Sequence, residues 1–382
     1  MSVAPEKVIS TILKHDSKVT SYKIALLRAI NDVVLTYPGL KTFRQPVAIP
    51  LALLSKFWIA YYWPFVDSAS PINQGQQAKR DGKIRSDMAF RPALSTLRQQ
   101  WEETIGGLKS PADGFFIINE LQSVRRWPNS PDTLSEALSK AVKAISRTLE
   151  MPIRYAGPGE WSIFDRPQRY KLLAGSAVAI PGTNENDRCL VLSVELWETF
   201  RRMSLWIEAL CIHEWCLFTE RVSNVDRGAA YSLLTVRPDN RRPLTWERNQ
   251  IDILLMEGAE FTCPWTQRRF VRGVSYDLDH ILPIAIYPTN ELWNLVPSDP
   301  NFNSHQKRDR LPRRERLVEA WPHLESTYAR YIGFPGLSRT LREDATLRFA
   351  QVRFNTNFAS ELAIAVIDLV DEIAELRNVA RF

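Results

Sequence analysis

Apolar residues recur three and four apart in "TSYKIALLRAINDVVLTY", so Ile24, Leu27, Ile30 and Val34 would share one helix face. Ser or Thr opens that run and Pro38-Gly39 closes it, which supplies a cap and a stop. "IPLALLSKFWIAYYW" predicts a second helix, with Pro50 suited to its first turn and Pro64 just past its end. Its aromatic run "FWIAYYWPF" reads as core rather than as a base-stacking surface. "TLSEALSKAVKAISRTLE" predicts a third helix. It opens with Thr133 and Glu136 at capping-box spacing, where each side chain can satisfy a free amide of the first turn. The polar stretch from Ser68 to Asp87 reads as a surface loop.

The pattern then changes. "GEWSIFD", "YKLLAGSAVAIPG" and "CLVLSVEL" are short apolar runs punctuated by Gly and Pro, and they predict strands. A long helix is expected through "ELWETFRRMSLWIEALCIHEWCLFTERV". Another is expected through "LTWERNQIDILLMEG", closed by Gly258, and a last through "ASELAIAVIDLVDEIAELR". No internal repeat or low-complexity tract interrupts them. The elements predict an α+β chain, mostly helical, in four stretches: a helical domain over 1–155, a mixed region with a long helix over 156–250, a small domain over 251–316, and a helical region over 317–382.

Composition narrows the class. A chain of 382 residues suggests two or three domains, and 45% apolar residues are enough for packed cores, which excludes whole-chain disorder. Lys and Arg total 49 against 43 Asp and Glu, a net charge of +6 that suits a polyanionic partner only where the basic residues cluster. No run of eighteen apolar residues occurs, and "MSVAPEKVISTILKHDSKV" is charged throughout, so a cytoplasmic protein is expected. Cys189, Cys211, Cys216 and Cys263 form no CxxC knuckle, which argues against a structural zinc site of that type and for reduced thiols. "CIHEWC" places Cys211 and Cys216 five apart, on different helix faces, and residue 217 is Leu, so the HExxH metal pattern is absent and a buried helix is expected.

The chemistry concentrates in "YDLDHILPIAIYPTNELWNLVPSDPNFNSHQKRDRLP". "SYDLDHILP" predicts a strand in which Asp279 and His280 point to opposite faces, so one site can use both only where the strand ends, as Pro283 suggests. "ELWNLVP" predicts a second strand. "NFNSHQKRDR" predicts the start of a helix capped by Asn301 or Asn303.

This order, Asp-His, then Asn, then Asn or His before a Lys, resembles the HNH endonuclease family, whose core is the ββα-metal finger. The resemblance spans roughly Thr262 to Pro312. It implies an HNH finger embedded between helical accessory domains, hydrolysing phosphodiester bonds with a divalent metal, and leaving 5′-phosphate and 3′-hydroxyl ends. It implies that His280 is the base that activates water, a task for which an imidazole is suited because it titrates near neutral pH. It implies that Asp279 ligates the metal and that Asn294 braces the loop and orients His280. The helix ligand is Asn303, or else His305. The family has a Lys three residues after that ligand, whereas Lys307 follows Asn303 by four. An oxygen-rich site implies Mg²⁺ or Mn²⁺; a His305 ligand would make Zn²⁺ or Ni²⁺ easier. Many relatives carry paired zinc-binding cysteines. Cys263 stands alone here, so packing of Trp265 and Phe270 is expected in place of that zinc.

Lys307, Arg308, Arg310, Arg313 and Arg314, with Arg268 and Arg269 of "TQRRFVRG", form a basic cluster suited to phosphate contacts that read no sequence. The substrate implied is nucleic acid, DNA before RNA. By analogy, the setting is bacterial anti-phage defence or restriction, and a regulatory partner protein could engage the accessory domains. A non-catalytic nucleic-acid-binding or scaffold subunit is the alternative.

Overall fold

A computed structural model describes residues 4–76, 79–80, 83–84, 87–106, 109–120, 132–241, 243–349 and 351–382. The chain forms two compact units, Met1–Pro238 and Asp239–Phe382, and it is mostly helical with small sheets. No helix among the described residues is long and apolar enough to cross a membrane.

The first unit contains α1 (Pro5–Lys14), α2 (Tyr22–Thr36), α3 (Leu51–Tyr62), α4 (Arg91–Ile105), α5 (Asp113–Glu120), α6 (Asp132–Thr148), α7 (Glu150–Arg154), α8 (Val194–Val222) and α9 (Arg227–Leu234). Helix α2 is its axis. Apolar side chains on all its faces are buried, together with Arg28 and Asn31. Both side chains donate to a carbonyl, while Arg28 Nε and Asn31 Oδ1 take no hydrogen bond among the described residues. Arg28 donates to the Leu234 carbonyl (2.9 Å) and lies over the Tyr61 ring, and Asn31 donates to the Ser204 carbonyl (3.2 Å) beside the break in α8 at Met203. The aromatic run is core: Trp58, Tyr62, Trp63 and Phe65 are sealed, and Tyr62 packs on Trp215. Cys211 and Cys216 lie in that core, whereas His213 is half exposed on another face of α8, so the three do not converge.

Strand β1 (Val47–Pro50) precedes α3, so Pro50 is the residue before the helix rather than part of its first turn. A hairpin of β2 (Lys79–Arg80) and β3 (Lys83–Ile84) follows. Strands β4 (Gln168–Arg169), β5 (Val178–Ala179) and β6 (Arg188–Leu192) join β1 in one sheet of order β4-β6-β1-β5, with β1 antiparallel to β6 and parallel to β5.

Several local expectations are corrected. "GEWSIFD" makes turns, because Trp161 takes a left-handed φ of 53° and donates its amide to the Arg154 carbonyl at 2.7 Å. Helix α6 already includes Asp132, so Thr133 lies inside the helix rather than at its cap. Of the loop expected over Ser68–Asp87, residues 77, 78, 81, 82, 85 and 86 lie outside the described ones. Residues 68–71 are exposed, as a surface loop requires, but Gln74 and Asp87 are not. Gln74 is buried between Thr219 and Trp215, and Asp87 is buried against Arg91 and the Gln74 amide.

The second unit begins with α10 (Thr245–Met256), then a hairpin of β7 (Phe261–Thr262) and β8 (Arg269–Phe270). A second hairpin pairs β9 (Asp277–His280) with β10 (Leu295–Ser298), His280 opposite Leu295 and Asp279 opposite Val296. Then come α11 (Pro300–Phe302), a π turn over Asn303–Lys307, α12 (Arg314–Gly333), α13 (Pro335–Arg348) and α14 (Phe358–Leu376). Phe261, Phe270, Trp293, Leu295 and Val296 share one core with Leu324, Tyr328, Leu362 and Val366. All four residues of β10 are buried, and α12 fastens its start: Tyr328 donates to the Trp293 carbonyl (2.6 Å) and Tyr331 to the Leu295 carbonyl (3.1 Å). "ELWN" is not strand. Leu292–Asn294 form a 3₁₀ turn, because the Leu292 amide donates to Asp344 (2.8 Å) and Glu291 holds both the Trp293 indole and Arg348.

Candidate functional site

The two faces of β9 do different work. Asp277 and Asp279 point to one side of the strand, and Leu278 and His280 to the other. The ladder stops just beyond His280, where the Ile281 amide donates to the Asn294 carbonyl at 2.8 Å. Residues 281–293 form the connection to β10, and Asn294 closes it. The Asn294 side chain, wholly buried, accepts from the Leu282 amide (2.7 Å) and donates to the Leu282 and Thr289 carbonyls (3.0 and 3.3 Å). It touches backbone only, so it shapes the loop that carries the histidine's neighbours.

His280 is half buried. Its Nε2 lies 2.7 Å from Asn290 Oδ1, and Asn290 Nδ2 donates to Asn240 Oδ1 at 3.0 Å. An amide oxygen can only accept, so His280 donates from Nε2. In the neutral ring the lone pair then sits on Nδ1. Asn290, itself buried, thus sets both the orientation and the tautomer of the imidazole. Sequence reasoning missed Asn290 and Asn240. Asn290 stands two residues before the unexpected turn, and Asn240 lies far away in the chain.

On the other face, Lys307 Nζ is 3.1 and 3.0 Å from the two oxygens of Asp279, and it donates to the His280 carbonyl at 2.6 Å. Lys307 is only 1% exposed and Asp279 7%. Burial pushes the Asp279 carboxyl above the usual carboxylate range, against the pull of the Lys307 ammonium. Lys307 therefore cannot be a phosphate contact at the surface; its charge is spent inside. Asp279 Oδ2 receives no directed hydrogen bond among the described residues.

The helix segment explains how Lys307 gets there. Its cap is Asp299, whose carboxylate accepts the Asn301 amide at 3.1 Å, so neither Asn301 nor Asn303 caps it. After one α turn the backbone widens, and the Arg308 amide donates to the Asn303 carbonyl, five residues back (3.0 Å). A π turn holds one more residue than an α turn. It absorbs the four-residue spacing between Asn303 and Lys307 and still delivers the lysine to Asp279. Asn303 Nδ2 donates to Asp277 Oδ2 at 3.1 Å, which brings the asparagine to the aspartate face. His305 is exposed, and its Nδ1 is 3.0 Å from the Asn301 carbonyl; no contact among the described residues joins it to Asp279.

Oxygen donors for a cation are thus Asp279, Asp277 and the Asn303 amide. No cluster of three or more His, Cys, Asp and Glu side chains among the described residues is placed to hold a metal. The oxygen chemistry of this set fits a hard divalent ion that retains waters; Asp279 Oδ2 meets the Lys307 ammonium at 3.0 Å, which such an ion would have to displace. Asp277 was not singled out from the sequence, although its position two before Asp279 puts it on the same strand face. Cys263 is fully buried and accepts from the Asp299 amide at 3.4 Å; the β7–β8 turn around it is packed by Trp265 and Phe270.

The basic residues divide. Arg313 and Arg314 are exposed at the start of α12, and Arg308 is exposed with a left-handed φ of 50° just past the π turn. Arg268 pairs with Asp299 (3.3 Å), Arg269 with Glu260, and Arg310 folds back on the Gln306 carbonyl.

Residues 3–234 match a sequence family described as a domain of unknown function, DUF8808, and residues 263–313 match the family described as HNH endonuclease. No curated protein matches the chain. No solved structure matches it.

Proposed function

We propose that this chain, which belongs to the DUF8808 family and carries an HNH endonuclease segment, is a metal-dependent nuclease that uses His280 as its base, with DNA as the preferred substrate. The observation that supports the reading is the His280–Asn290 hydrogen bond at the end of β9, with Asp279, Asp277 and Asn303 gathered on the strand's opposite face. A bound Mg²⁺ or Mn²⁺ would stabilise the charge that develops on the leaving oxygen. Asp279 and Asn303 would hold it, with Asp277 beside them. His280 Nδ1 takes the proton from the attacking water while Nε2 stays hydrogen-bonded to Asn290. Asn294 keeps the loop that carries Asn290 in place. Arg308, Arg313 and Arg314 meet phosphates of the strand, and Arg268 and Arg269 join them where phosphate displaces Asp299 and Glu260. A setting in bacterial anti-phage defence rests on the resemblance alone.

The test uses the purified full chain with plasmid, linear duplex and RNA, in Mg²⁺ or Mn²⁺ and with a chelator. Cleavage should need the metal, and His280→Ala should lower it by roughly 10²–10⁴-fold with nucleic-acid binding retained. Cleavage by His280→Ala at more than about a tenth of the wild-type rate would remove His280 from the mechanism. Binding without cleavage of any of the three substrates would favour the scaffold reading, in which the Lys307–Asp279 pair has replaced the metal.

A further inference from the structure

A second concave feature lies next to the π turn. Arg310, Arg313, Arg316 and Arg381, with the rings of Phe302 and Phe382, line a cavity of about 320 Å³, and no Asp or Glu side chain lines it. We propose that this pocket binds the phosphate group of a nucleotide, as a subsite separate from the Asp279–His280 centre.

Its arginines are held ready. The Arg316 guanidinium sits 5.6 Å from the Phe302 ring and 5.5 Å from that of Phe382, and the two rings meet edge to face at 5.4 Å. Among the described residues Arg316 and Arg313 have no carboxylate partner, so both charges are available to a ligand. Arg381 is the fixed wall: it pairs with Asp371 and Glu375, both at 2.8 Å, and donates to the Pro312 carbonyl at 3.1 Å. The backbone between these walls is also tied down. The Leu311 amide donates to the Ala380 carbonyl (3.0 Å), the Phe382 amide to the Leu311 carbonyl (2.8 Å), and the Arg313 amide to the Phe382 carbonyl (3.1 Å).

Two unpaired guanidiniums facing one small cavity repel each other, and an anion relieves that repulsion. A guanidinium's planar fork matches phosphate in two-point geometry, and a fork packed against aromatic rings loses little freedom when it binds. The flanking phenyl rings give a sugar or base an apolar edge. Phe302 and Gln306 also belong to the segment that carries Asn303 and Lys307, so the pocket borders the proposed reaction centre. The inference deepens the nuclease reading and rests on it for the source of the phosphate, either the substrate strand or a free nucleotide.

Equilibrium binding of a short single-stranded oligonucleotide and of dAMP to the full chain decides it. The chains compared are wild type, Arg313→Gln, Arg316→Gln, Arg316→Lys and His280→Ala. Arg313→Gln and Arg316→Gln should each weaken both ligands by about tenfold or more, the size of a lost charge-assisted hydrogen bond. Arg316→Lys should fall between, because it keeps the charge and loses the fork. Arg313 is exposed, so its replacement does not put folding at stake. A loss confined to dAMP would keep the pocket and identify its ligand as a free nucleotide; a loss confined to the oligonucleotide would identify it as the strand. Unchanged binding of both ligands in Arg313→Gln and Arg316→Gln overturns the proposal. His280→Ala separates the two ideas. It should bind dAMP as wild type does; if it still cleaves, the base assignment fails while the dAMP result continues to judge the pocket.

Discussion

Lys307 and Asp279 form a buried ion pair in the second unit, Nζ 3.0 Å from Oδ2, with 1% and 8% of their side chains exposed. The same ammonium holds the His280 carbonyl, so one cation ties the π turn to the end of β9. A pair this deep adds little net stability over an apolar replacement of both partners, but removing one partner strands the other charge.

Lys307→Ala should therefore destabilise the protein by about 3–5 kcal/mol, read from urea unfolding of the second unit. The deficit should shrink as pH falls, because burial already favours the protonated Asp279 carboxyl and protonation removes the stranded charge. An unfolding midpoint equal to that of wild type at neutral pH would show that the pair does not hold the finger together.

Asn294→Ala removes three hydrogen bonds to the Leu282 and Thr289 backbone inside a sealed site. Each backbone group left without a partner costs about 1–3 kcal/mol. Thermal unfolding should fall accordingly, and cleavage should fall with it, since the loop carries Asn290. Full activity with a lowered melting temperature would confine Asn294 to stability.

At the helix position, Asn303→Ala should lower cleavage more than His305→Ala, with part of the loss recovered at high Mn²⁺. The reason is placement: Asn303 reaches Asp277, whereas His305 is exposed and turned to the Asn301 carbonyl. A dead His305→Ala beside a near-normal Asn303→Ala would reverse the assignment.

All four cysteines are free and buried, and burial pushes the Cys189 thiol up to about 12. A thiol is reactive only as thiolate. The native protein at pH 8 should therefore release almost no colour with a disulfide reagent, and four thiols should react in denaturant. Rapid reaction of Cys189 in the native protein would contradict its burial.

Several of the helices could be read from the sequence, because α2, α3, α6, α8, α10 and α14 carry their apolar recurrence within the segment itself. So could the order Asp279-His280, Asn294, Asn303, since chemistry that lies on one strand, one turn and one helix end keeps its spacing in the chain. The 3₁₀ turn at Leu292–Asn294 could not. It depends on Asp344 and Arg348 from α13, about fifty residues on, which outcompete the strand preference of Leu292 and Trp293.

Residue types and their spacing determined which groups this protein can bring to its HNH segment. Tertiary structure decided what each group touches. Lys307 reads as one more surface cation in a basic run, yet the π turn rotates it inward onto Asp279. His280 acquires its tautomer from Asn290 and Asn240, the latter forty residues upstream. A buried charge or a hydrogen-bond direction depends on partners distant in sequence, and only the packed core brings those partners together.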